Sequence, residues 1–123
     1  MSDRTQEELL AMRNECNAII TLRDALRRLE SNPDFRRIVN TYIHEEPARI
    51  TMLLSDPSLN LDPEKRDIHR NELTERLIGI SRFADYLRTI HQRGEMAEKQ
   101  LHDIDTNQEQ ENAASEAENS AGV

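Results

Sequence analysis

The 123 residues suffice for one domain, and with 36% hydrophobic and 3% aromatic residues against 33% charged ones, any core must be thin and built mainly from Leu and Ile. The aromatic residues are only Phe35, Tyr42, Phe83 and Tyr86, and there is no Trp, so the composition favours an all-α chain of elongated packings that is marginal alone and gains from a second chain or a larger surface. The formal charge of −8 is uneven: residues 1–104 carry −3, and residues 105–123 carry −5 with no base, which excludes a broadly basic protein.

From about Asp3 to Ser31 there is neither Gly nor Pro. Leu9, Met12, Cys16, Ile19, Leu22, Leu26 and Leu29 recur every three or four positions, which predicts an amphipathic helix with these residues as one stripe. Arg13, Asp24, Arg27 and Arg28 fall on its opposite face. Thr5 with Glu8 has the spacing of a capping box, with Ser2 and Asp3 as alternative caps. Cys16 is the chain's single cysteine, so neither an intramolecular disulfide nor a Cys-based metal site can form within one chain. Its place on the stripe suits a small packed hydrophobe better than a nucleophile.

Asn32-Pro33 predicts a new helix start, because Asn is a good cap and Pro is tolerated at the first helical position. Asp34 adds negative charge at the positive end of the helix dipole. Phe35, Ile38, Val39, Tyr42 and Ile43 are expected on the inner face. Pro47 predicts a kink or brief break near Glu45-Glu46-Pro47, after which Ile50, Leu53 and Leu54 face inward. His44 beside Glu45 and Glu46 reads as a solvated charge cluster, since acid–base work needs a pocket that shifts pKa values.

Ser55 to Leu61, with Pro57, reads as a loop, and Asp62-Pro63-Glu64 repeats the cap-plus-proline start. A third helix of roughly 40 residues, at 3.6 residues per turn, follows to beyond residue 100. The fold class is therefore all-α: a kinked helical hairpin plus one long C-terminal helix with a coiled-coil-like seam. That seam is Leu73, Leu77, Ile80, Ala84, Leu87, Gly94, Ala97, Leu101 and Ile104, close to a seven-residue repeat, with Phe83 and Ile90 flanking it. Gly79 and Gly94 are its weak points, each costing up to about 1 kcal/mol relative to Ala. Small residues at 94 and 97 let another backbone approach. The helix is too long for its own chain to cover, so Leu87, Leu101 and Ile104 face water in a monomer, and these seam residues are the expected interaction surface. Residues 1–104 form the helical domain. Residues 105–123, without an aromatic and with only small apolar residues, are expected to be a disordered acidic tail.

No catalytic, cofactor or metal site is expected, and the chain is read as a non-enzyme. His91, Glu95, Glu98 and His102 lie on one stripe of the third helix, but one straight helix directs only two adjacent ligands at one ion, so they read as a solvated face. Fourteen of the 16 basic residues are Arg, either from codon usage in a GC-rich genome or because Arg forms bidentate contacts at interfaces. Arg66, Arg70, Arg76, Arg82, Arg88 and Arg93 sit along the long helix, but interleaved acids and a net negative body argue against direct nucleic-acid binding. A membrane-surface helix would want a basic face with bulky aromatics. MSDRTQEELL has neither a basic nor an apolar run, and no stretch is apolar enough to cross a bilayer. The expected place is the cytosol or a particle assembled there.

Three stretches, LRRLESNPDFRRIV, EEPARITMLLSDPSL and FADYLRTIHQRGEMAEKQL, together resemble a group of small helical proteins of tailed bacteriophages. The residues that carry the resemblance are Leu29, Asn32, Asp34 and Phe35, then Ala48, Arg49 and Leu53, then Asp56 and Pro57, then Gly94, Ala97 and Leu101. It covers roughly residues 20–102 and omits the acidic tail. The resemblance implies a phage origin more than a mechanism, since the group has no assigned catalytic activity. Two function classes follow. In one the chain is a virion or assembly component whose long helix packs on its own copies or on a capsid, portal or tail protein. In the other it is an early phage protein that binds and modulates a host enzyme.

Overall fold

The computed structural model describes residues 5–60 and 62–121. The elements run α1 (Gln6–Glu30), α2 (Pro33–Asn40), a π-helical turn (Thr41–Glu45), α3 (Glu46–Leu54), a 3-10 turn (Pro57–Asn60) and α4 (Pro63–Ala121), with no strand among the described residues. The chain is all-α, as its periodicity predicts.

Three starts follow the expected caps. The Glu8 amide donates to the Thr5 hydroxyl at 3.2 Å; Ser2, Asp3 and, in the loop, Leu61 lie outside the described residues. Asn32 accepts from the Asp34 and Phe35 amides ahead of Pro33. Asp62 accepts from the Glu64 amide at 3.1 Å ahead of Pro63. Each cap satisfies a backbone donor that the first helical turn leaves without a partner.

The break expected near Pro47 takes a specific form. Glu46 N–H donates to the Thr41 carbonyl, five residues back, so the ladder widens just before the proline. Pro47 lacks an N–H and would crowd the carbonyl four residues back in a regular helix; the slipped register gives it room without ending the run. The wider turn also decides which side faces inward. More residues per turn keep a spacing of four on one side, and Phe35, Val39, Ile43 and Pro47 are half-buried, ahead of fully buried Ile50. Ile38 and Tyr42, expected on that inner face, are exposed.

Two compact units divide the chain. One comprises residues 1–25 and 90–123, the other residues 26–89. In the first, α1 and the C-terminal part of α4 run antiparallel: Arg13 reaches Asp105 at 2.8 Å and Gln108 at 2.7 Å, while Arg23 pairs with Glu98. Buried residues recur every seven positions, Cys16 and Arg23 on α1 and Ile90, Ala97 and Ile104 on α4. That spacing marks a coiled-coil-like seam. Leu22, expected on the stripe, is exposed, and Arg23 is buried in its place. A stripe through 12, 16, 19, 23 and 26 averages 3.5 residues, whereas Leu22 falls about 100° of helix rotation away from Arg23. Arg13, expected on the outer face, is half-buried for the same reason. In the second unit Leu26, Ile50 and Ile80 are buried, and Leu29, also expected on the stripe, is exposed.

Helix α4 runs on past Ile104, the expected boundary of the helical domain. Helix α4 has 59 residues and continues to Ala121. Residues 105–121 contain neither Gly nor Pro, and Ala, Glu and Gln are good helix formers. From Glu109 to Glu118 the side chains are exposed, so this stretch is helical without contributing to a core.

Candidate interaction surface

The seam of α4 is already filled within each unit. In the first unit Gly94, Ala97 and Ile104 are buried and Leu101 is half-buried. Arg23 explains the glycine: a methyl group added at Gly94 would lie 2.5 Å from Arg23 Cγ and 2.7 Å from its Cβ. The close approach that small residues at 94 and 97 permit is thus made by a side chain of the same molecule. In the second unit Ile80 is buried, and Leu73, Leu77, Ala84 and Leu87 are half-buried. The expectation that Leu87, Leu101 and Ile104 face water in a monomer is corrected accordingly, because Ile104 is buried and Leu87 and Leu101 are half-buried.

Arg23 is 1% exposed. Its Nε bonds Asp24 at 3.0 Å, one terminal nitrogen pairs with Glu98, and Nη1 is buried with no partner among the described residues. The hydrogen bond to Glu98 holds the guanidinium pKa above its ordinary value, against the desolvation that lowers it. This engages Glu98, one of the four stripe residues weighed for metal. Glu95, Glu98 and His102 line a shallow open cleft with Lys99 and Asp103, but among the described residues no three His, Cys, Asp or Glu side chains are placed together so that they could hold one metal ion.

What remains outside these cores is concentrated on the second unit. Ile38 is 68% exposed, Tyr42 42%, Phe83 37% and Tyr86 56%. Tyr42 and Phe83 meet edge to face, ring centroids 5.7 Å apart at 79°, an arrangement ring quadrupoles favour. Ile38 lies one turn ahead of Tyr42, and Tyr86 one turn beyond Phe83. Beside them is a cleft of about 280 Å³ lined by Tyr42, Glu46, Ile50, Arg76, Gly79 and Ile80. Nothing lies within 4 Å of where a Gly79 side chain would be. The hydrogen bond from Arg49 lowers the Glu46 pKa against partial desolvation, and the charges of Arg49 and Arg76 lower it further. A larger cleft of about 540 Å³ lies between the loop after α3 and the start of α4, where Lys65, His69 and Arg76 mix with Asp56, Asp62 and Glu72. The mixed signs give it no single-sign field for an anion or a cation.

No protein family, curated protein or solved structure matches the chain. The geometry therefore has to carry the assignment. Three of the four aromatic residues, with arginines nearby, form a face of the composition that protein interfaces enrich and that single domains seldom leave bare. Sequence reasoning missed it by assigning Tyr42 to the inner face and Phe83 to the flank of a buried seam. One signal was present: Gly79 weakens a long helix and has no packing duty on its own chain. Among the described residues no helix is long and apolar enough to cross a membrane.

Proposed function

We propose that this chain is a non-catalytic bacteriophage structural or assembly protein that works through helix-mediated contacts, with copies of itself or with a capsid, portal or tail protein. The observation that carries the protein-binding part is the exposed face of Ile38, Tyr42, Phe83 and Tyr86. Burying a large apolar side chain contributes roughly 1.5–3 kcal/mol, and Tyr and Arg dominate the energetics of protein interfaces. The phage attribution rests on the resemblance carried by Asn32, Asp34, Phe35, Ala48, Arg49, Asp56 and Gly94.

Mass spectrometry of purified virions tests the proposal, with crosslinking to identify the neighbour. Peptides of this chain at stoichiometric levels, crosslinked to a structural protein or to another copy, are the expected result. Absence from particles, with expression early in infection and a stable complex with a host enzyme, would replace this reading with that of a host modulator.

A further inference from the structure

Gly79 lies at the centre of an exposed face of α4 whose charges are complementary to themselves. Helical rotation puts Glu72, Glu75 and Arg76 on the N-terminal side of that face and Arg82, Phe83 and Tyr86 on its C-terminal side. All of these residues are exposed. Glu75 and Arg82 make no ion pair among the described residues.

From this arrangement we infer that the occupant of the face is a second copy of the chain, with the two α4 helices crossing antiparallel about a two-fold axis at Gly79. An axis perpendicular to the plane of the two helices exchanges residues above and below Gly79 while keeping each on its own lateral side. Glu75 and Arg82 both lie to one side, so Arg82 of each copy meets the partner's Glu75. Arg76 and Phe83 lie to the other, so the guanidinium meets the face of the partner's ring. Glu72 and Tyr86, both near the midline, place the carboxylate opposite the partner's phenol hydroxyl. Each contact occurs twice, as a two-fold interface requires. A parallel crossing would instead bring Glu72 close to the partner's Glu72 near the midline and set Arg82 opposite the partner's Phe83, with no carboxylate to pair it. The missing side chain at Gly79 lets the backbones approach at the axis, the use to which small residues at helix crossings are put. This inference rests on the protein-binding reading above and specifies its partner and geometry.

Light scattering on the full chain at micromolar concentration should give twice the monomer mass of 14.3 kDa. Gly79→Leu, whose Cβ has no neighbour within 4 Å in the monomer, should keep the circular dichroism spectrum and give a monomer. Arg82→Glu and Glu75→Arg should each be monomeric alone, because each sets like charges together across the axis. Mixed in equal amounts, those two variants should form a heterodimer, since both cross-axis pairs become opposite in sign. A wild-type chain that stays monomeric would overturn the crossing. A dimer indifferent to Gly79→Leu and to both charge reversals would overturn it too, and the virion experiment would still decide the broader reading independently.

Discussion

The aliphatic stem of Arg23 lies against the bare backbone of Gly94, close enough that a single added methyl would meet Arg23 Cβ at 2.7 Å. A Cβ cannot rotate away as the end of a long side chain can, so relief requires one helix to move from the other. The two glycines interior to α4 therefore differ in kind: Gly94 is a contact and Gly79 is an open position.

That difference predicts opposite outcomes for one substitution. Gly79→Ala should stabilise the fold by up to about 1 kcal/mol through helix propensity alone. Gly94→Ala gains the same propensity but overpacks the seam, which typically costs about 1–3 kcal/mol. Urea unfolding of the two variants checks the sign of each.

Arg23 predicts a second contrast. Arg23→Ala leaves a cavity in the seam, and its unfolding midpoint should fall. Arg23→Leu fills the space, removes the buried Nη1 that has no partner and leaves Glu98, itself exposed, to water. Its midpoint should equal or exceed that of the wild type, because replacing a buried ion-pair member by a packed hydrophobe is often neutral or stabilising. A midpoint as low as that of Arg23→Ala would show that the charge itself holds the two helices.

The periodic pattern announces α1 and α4, and Asn32-Pro33 and Asp62-Pro63 announce their helix starts through side-chain chemistry a few residues wide. The exposed face was not legible in the same way. Whether Tyr42 points inward depends on the turn at Thr41–Glu45, and a sequence pattern read at 3.6 residues per turn does not register that widening. Nor does a hydrophobic pattern report that Arg23 occupies a seam position, since it skips to Leu22 as the nearest apolar residue. Beyond Gln108 the side chains from Glu109 to Glu118 are exposed, so no apolar stripe marks that part of α4, and an apolar stripe is what periodicity detects.

The C-terminal stretch gives a graded truncation. Ending the chain after Gln108 removes the exposed side chains of Glu109 to Glu118 and should leave the unfolding midpoint unchanged. Ending it after Ile104 also removes Asp105 and Gln108, the partners of Arg13, and should lower stability by no more than about 1 kcal/mol, the range of a partly exposed ion pair. Thermal denaturation of the two truncations against the full chain separates the cases.

Acid should weaken the second unit first at two carboxyls. Arg49 lowers the Glu46 pKa from its ordinary 4.5, and the backbone and side chain of Ser58 lower that of Asp56 from 3.8. For a depressed carboxyl the stabilising contribution is fully present above the unfolded-state pKa and is lost as pH falls through the folded one. Stability should therefore be flat above about pH 5 and decline below the ordinary carboxylate range. Glu46→Gln combined with Asp56→Asn should flatten that decline in urea titrations repeated across pH.

The π turn at Thr41–Glu45 has a consequence for chain length. Deleting one residue there would restore a regular ladder, but everything from Glu46 onward would swing by about 100° about the helix axis. Ile50 would leave the core, and Pro47 would collide with the preceding turn. Insertions and deletions should accordingly be tolerated far better around Asp56–Asn60 than within these five residues, whose number sets the rotational phase of α3.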